Sequence, residues 1–151
     1  MKTYLDFRKA GYTASQSLYM SKSVAEFEEL GDDCVKIEAE PEMENYFDVY
    51  GEPEGYTNIH GKRVSAEQER KDMLEQFERD GVWCVASYYK DETGEWQHAD
   101  SVGMCAGYKN PLCPLQNCYV PDLMLSAVKA YKAQGEYVIE SFKTQVDKRR
   151  A

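Results

Sequence analysis

The spacing of apolar residues changes period several times along the chain, and each change marks an element. After Thr13, apolar side chains fall at Leu18, Met20, Val24, Phe27 and Leu30, roughly one face of a helix. Thr13 and Gln16 have the spacing of a capping box, and Gly31 suits the left-handed residue beyond a helix end. Ser23 and Glu26 repeat the capping spacing, so the segment reads either as one helix or as two short ones meeting near Lys22. From Cys34 to Ala39 the period drops to two. Val35, Ile37 and Ala39 alternate with Lys36 and Glu38, a half-buried strand that Pro41 ends. Tyr46 to Tyr50, aromatic and β-branched, predicts a second short strand, and the glycines and prolines between Gly51 and Gly61 predict a loop.

Ser65 and Gln68 form a further capping box before a helix that carries Ala66, Met73, Leu74 and Phe77 on one face and dense charge on the other. Gly81 stops it. Val82 to Tyr89 (VWCVASYY) is apolar on both faces, as a central strand is. The run KDETGE then supplies a turn, and Glu95 to Tyr108 returns as a strand irregular at Gly103 and Gly107, giving an antiparallel hairpin over residues 82–108. After a loop with Pro111 and Pro114, Pro121 opens a last helix. Its apolar positions are Met124, Ala127, Val128, Tyr131, Val138, Ile139, Phe142 and Val146, with Gly135 a point where it kinks or divides. Lys143, Lys148, Arg149 and Arg150 suit its negative end. The expected fold class is α+β, a single domain over residues 1–151 with a small antiparallel sheet and three or four helices packed on it.

Charge changes this picture more than composition does. The formal net charge is −9, and it is uneven: residues 31–60 hold nine acidic groups against one basic, whereas residues 101–151 hold four against seven. An acidic surface disfavours direct contact with nucleic acid, whose phosphates call for Lys and Arg. It favours basic partners, among them proteins that themselves hold nucleic acid, and it serves solubility equally well. No apolar run approaches the roughly 20 residues that cross a bilayer, and MKTYLDFRK lacks a signal core, so a cytoplasmic setting without membrane contact is expected. Five cysteines, an odd number, point to reduced thiols.

Three kinds of chemistry can be weighed on these residues. His98, Cys105, Cys113 and Cys118 lie within 21 residues, but without the close cysteine pairs of structural zinc sites, so no metal is expected. His98 and Asp100 share a face if their strand is regular, and the carboxylate then orients the ring, with Cys84 or Cys105 across the hairpin as nucleophile. Against this, no nucleophile elbow, phosphate loop or dinucleotide fingerprint is present, so no catalytic residue or cofactor is assigned. Asp48, Glu52, Glu54 and Asp100 are a further carboxylate set, of low specificity among 27 acidic residues. The excess of tyrosine, twelve residues, is more informative, because tyrosine offers apolar area with a polar tip and suits protein interfaces. Tyrosines and carboxylates interleave in the stretch NYFDVYGEPEGY, and the expected partner-binding residues are Glu44, Tyr46, Asp48, Tyr50, Glu52, Glu54 and Tyr56. A pairing of two copies through the stripe from Met124 to Val146 is the third reading.

The segments GYTASQSL, ENYFDVYGEPEGYTN, GKRVSAEQERK and ERDGVWCVASYYKDETGEWQHADSVGMCAGYKNP carry a resemblance. Over roughly residues 8–130 the chain resembles small acidic accessory proteins of bacteriophages and mobile elements, with the shared order strand, acidic turn, GEW, DS and GY. It departs from them around Val102 to Met104, where similar proteins tend to carry an aromatic residue and this chain reads VGM. The resemblance implies a bacterial host and a role against host defence, as an inhibitor of a CRISPR or restriction nuclease that occupies its nucleic-acid site. The acidic block from Asp32 to Glu54, with Glu67 to Asp80, is where such mimicry is expected.

Overall fold

The computed structural model describes residues 2–150, and side chains as far as residue 135. Its elements are α1 (Tyr4–Lys9), α2 (Ala14–Leu30), β1 (Val35–Pro41), α3 (Tyr46–Tyr50), β2 (Tyr56–Thr57), β3 (Arg63–Val64), α4 (Ala66–Asp80), β4 (Val82–Lys90), β5 (Trp96–Ala106) and α5 (Val120–Arg150). An antiparallel sheet in the order β1-β4-β5 and a two-residue ribbon of β2 and β3 make the fold α+β.

Local chemistry explains most of the helix boundaries. Thr13 and Gln16 form the reciprocal capping box, at 3.1 and 3.0 Å. The helix they start runs unbroken to Leu30, so the division near Lys22 does not occur. Ser23 is buried and its hydroxyl donates to the Tyr19 carbonyl at 2.9 Å, which leaves it no part in a second cap. Ser65 caps α4 through the Gln68 amide at 3.1 Å, but the box is only half closed, because the Gln68 side chain turns to Asp72 at 2.8 Å. A short N-terminal helix not apparent in the pattern, α1, has its own box between Thr3 and Asp6. At the other end, α5 passes Gly135 without dividing.

The sheet's two faces differ in kind. Val35, Ile37 and Ala39 of β1 and Val85 and Ser87 of β4 face a layer of α1, α2 and α5. The core there is Phe7, Met20, Val24, Phe27, Val35, Val85, Val120, Leu123, Met124, Ala127 and Val128. Each fully buried Val, Leu, Phe or Met contributes roughly 1.5–3 kcal/mol. Met124, Ala127 and Val128 are spent on this core, so the inner half of the Met124–Val146 stripe is not free to pair with a second copy. Val138, Ile139, Phe142 and Val146 lie outside the described side chains. The opposite face of the sheet carries Lys36, Glu38, Tyr88, Trp96 and His98, with the Lys36 ammonium 4.5 Å from the Trp96 ring centre and 5.3 Å from that of Tyr88. Among the described residues no helix is long and apolar enough to cross a membrane.

Residues 42–81 form an excursion from one end of the sheet. Pro41 pairs with Trp83, and the Glu42 amide donates to the Val82 carbonyl at 2.9 Å, so the chain leaves and returns at the same place. Within the excursion, Tyr46–Tyr50 is a helix and not the expected strand. Asn45 caps it through the Phe47 amide at 2.9 Å. The helical turn then brings Tyr46, Phe47 and Tyr50 to one side, where Tyr46 and Phe47 meet Phe77 of α4 at centroid distances of 4.9 and 6.0 Å. That contact overrides the β preference of five residues too few to show a period. The segment expected to be loop also holds the β2–β3 ribbon, closed by Asn58, whose side chain accepts from the amides of His60 and Lys62.

Candidate partner-binding site

The excursion is fastened to the sheet by Glu42. One carboxylate oxygen accepts from the amides of Met43 (3.1 Å) and Glu44 (3.3 Å), and the other accepts from the Met104 amide at 3.1 Å. The Met104 bond foremost, with those from Glu44 and Met43, holds the Glu42 pKa below the usual carboxylate range. The sequence VGM is what seats this carboxylate. A Cβ on Gly103 would stand 2.8 Å from the Glu42 oxygen, and Met104 is the one described non-glycine residue with a left-handed backbone, at φ 56°.

A small aromatic cluster holds the excursion together. Tyr46 lies 4.8 Å from Tyr50 and 4.9 Å from Phe77, and Phe47 is buried between α3 and α4. Arg70 covers Phe47 at 4.7 Å and donates from Nε to Glu52 at 2.8 Å. The turn after Glu52 is pinned twice more: the Gly55 amide donates to Glu69 at 2.8 Å, and Arg63 donates to the Glu54 carbonyl at 3.1 Å. Gly55 is required here, because at φ 83° a Cβ would lie 2.6 Å from the Val64 carbonyl oxygen.

These bonds sort the seven expected partner-binding residues. Glu44, Asp48 and Glu54 are exposed, and among the described residues their carboxylates form no ion pair. Tyr50 and Tyr56 are exposed at 63% and 46%. Tyr46 is largely turned into the aromatic cluster, and Glu52 is neutralised by Arg70, so neither is presented as a free group. Four further residues belong to the surface and were not apparent in the sequence: Met43, Val49, Ile59 and Leu74, all large, apolar and exposed. The signal for Ile59 was its isolation beside the Asn58–Gly61 turn. Val49 became legible only once α3 was a helix, with Tyr46 and Phe47 claiming the inner side.

The other candidate chemistries do not assemble. His98 pairs with Tyr88 and Asp100 with Ser87, so an extra residue, Ala99, bulges β5 between them. Tyr88 and Ser87 point to opposite faces, and so do their partners. His98 is exposed with its ring edge-on to Tyr88 at 5.8 Å, while Asp100 accepts from Ser126 of α5 at 3.2 Å. The shared face on which a His98–Asp100 pair depended is therefore absent. Cys105 is buried on the helix side with Asn117 at 3.8 Å, away from His98, and burial pushes both its thiol and that of Cys84 up, away from the reactive thiolate. Among the described residues no three His, Cys, Asp or Glu side chains converge as metal ligands. An open cleft of about 350 Å³ between the β4–β5 turn and α5 is lined by Asp33, Asp91, Glu92, Tyr131 and Gln134. Asp91 is occupied there by Thr93, Gln97 and the Glu95 amide.

Compared with known protein families, with characterised proteins and with solved structures, the chain matches none.

Proposed function

We propose that this protein is an inhibitor or adaptor of the phage and mobile-element kind that docks on a basic, nucleic-acid-handling protein of a bacterial host through residues 42–81. The observation that carries this reading is the make-up of the excursion. It holds eleven acidic residues against five basic, a net of −6 within a chain of net −9. It also holds six of the eleven exposed large apolar side chains among the described residues: Met43, Val49, Tyr50, Tyr56, Ile59 and Leu74. Carboxylates that steer, set around apolar and tyrosine anchors, are what a protein docking surface needs. The link to host defence, to a CRISPR or restriction nuclease in particular, is supported by the resemblance of the sequence.

Charge density separates docking from wholesale mimicry of DNA. The fifteen residues of α4 span roughly 22 Å, a length over which a duplex carries about 13 phosphate charges. α4 carries six acidic and three basic residues, a net of −3. A local acidic docking surface fits these numbers better than a charge-for-charge copy of the duplex. Affinity capture from bacterial lysate at low and moderate salt tests the reading. The expected result is recovery of a nucleic-acid-handling protein, with capture lost in an Asp48→Lys, Glu54→Lys variant. Recovery of no such protein, or capture indifferent to those charges, counts against it.

A further inference from the structure

β1 is an edge strand with a regular and unoccupied outer side. Backbone bonds from Lys90 to the Cys34 carbonyl (2.8 Å) and from Glu42 to the Val82 carbonyl (2.9 Å) set the parity of its ladder. Lys36, Glu38 and Glu40 turn their amides and carbonyls toward β4, and Val35, Ile37, Ala39 and Pro41 turn theirs outward. Val35 gives its amide hydrogen to the Gly31 carbonyl at 3.2 Å, and Pro41 has none to give. The amides of Ile37 and Ala39, and the carbonyls of Val35, Ile37 and Ala39, have no hydrogen-bond partner among the described residues. The other edge of the sheet differs. β5 is interrupted by two register shifts and by the left-handed Met104, devices that prevent regular pairing, whereas β1 runs against β4 over seven residues without a shift.

The side chains along this edge select the occupant. Ile37 and Ala39 are apolar and only half-buried, on the helix side of the sheet. On the opposite side Glu38 and Glu40 stand along the strand. The one cation, Lys36, is turned back over the sheet, 2.9 Å from Glu38 and 4.5 Å from the Trp96 ring centre. Lys36 offsets the charge of Glu38, so the rim carries a net charge of −1, with Glu40 its unpaired carboxylate, on one side and is apolar on the other. A second copy of β1 would bring a second row of carboxylates to the same rim, where like charges set opposite each other are unfavourable.

We propose that the β1 edge accepts an extended segment of a basic partner protein as a fourth strand. The segment's backbone takes the Ile37 and Ala39 amides and returns bonds to the Val35, Ile37 and Ala39 carbonyls. Its alternate side chains lie against Ile37 and Ala39 where apolar, and against Glu38 and Glu40 where Lys or Arg. The inference rests on the docking reading only for the sign of the partner's charge, because its backbone bonds involve no residue of the excursion.

A synthetic peptide of alternating valine and lysine, bound to the full chain and followed by fluorescence anisotropy, tests it. Ala39→Pro removes an outward amide hydrogen while sparing every bond between β1 and β4, and it is expected to weaken binding about tenfold. Glu38→Gln with Glu40→Gln is expected to weaken it and to flatten its salt dependence, and to do both more than Asp48→Asn with Glu54→Gln does. Should Ala39→Pro not fold, the same peptide N-methylated at alternate amides, added to the unaltered chain, is expected to lose binding. Full binding by the N-methylated peptide or by Ala39→Pro overturns the proposal, since the contact is then electrostatic alone. Binding lost only in the Asp48, Glu54 variant also overturns it and leaves the excursion as the site. So does a concentration-dependent dimer in sedimentation that Ala39→Pro dissolves, which would give the edge to a second copy.

Discussion

Ser87 is fully buried in β4, and among the described residues its hydroxyl has no hydrogen-bond partner. An unsatisfied buried hydroxyl costs stability that an alanine of similar volume does not. Ser87→Ala is therefore expected to raise stability by about 1 kcal/mol, measured by urea denaturation. Asp91 is the opposite case. The Thr93 hydroxyl foremost, with Gln97 and the amides of Glu95 and Thr93, lowers its pKa from 3.8 to about 2. A carboxylate whose pKa is depressed by folding contributes its stability fully above its unfolded value and loses it as pH falls through the folded one. The melting temperatures of the natural chain and of Asp91→Ala should differ by a constant amount above pH 3.8, and the gap should narrow as pH falls toward about 2. A gap that persists unchanged into strong acid would show that the turn does not depend on the ionised carboxylate.

At the scale of elements, α4 has no buried residue of its own and is held chiefly through Phe77 against Tyr46 and Phe47. Phe77→Ala removes the centre of that cluster and is expected to cost roughly 2 kcal/mol, less than for a fully buried ring because Phe77 is half-buried. Hydrogen exchange should then show faster opening confined to residues 42–81, with the β1-β4-β5 ladder unchanged; uniform acceleration would mean that the excursion and the sheet unfold together. Thr13→Ala, which opens the capping box of α2, should cost about 1 kcal/mol in the same denaturation experiment. The contrast between α2 and α3 shows where sequence suffices. The cap of α2 and the face carrying Met20, Val24 and Phe27 are local, so they stand in the sequence, although Leu18, read onto the same face, is exposed. α3 is decided by Phe77, distant along the chain, and its five residues satisfy a strand pattern equally well.

For the whole molecule, the division of labour is between a sheet backed on one face by α1, α2 and α5 and an acidic excursion hung from one end of it. Because the excursion concentrates charge, a complex formed through it should weaken as salt rises. The dependence should flatten in Asp48→Lys, Glu54→Lys, read as affinity against ionic strength for any captured partner. Reversal of Glu52 is expected to act differently: it breaks the pair with Arg70 and disturbs α4, so its effect should include a lower melting temperature.

The sequence by itself determined the fold class, the two ends of α2 though not whether it runs unbroken, the places of β1, α4 and the β4–β5 hairpin, and the concentration of acid in the middle of the chain. Each of these depends on neighbours in sequence, on a period, a cap or a composition. Tertiary structure alone decided which carboxylates are free. Glu42 is bound to the Met104 amide and Glu52 to Arg70, while Glu44, Asp48 and Glu54 are left to solvent. It also decided that the bulge at Ala99 separates His98 from Asp100, since a one-residue slip in a strand turns every following side chain to the other face. The outer edge of β1 became visible only through its pairing with β4. The direction in which a backbone amide points is set by the neighbouring strand, and no residue type records it.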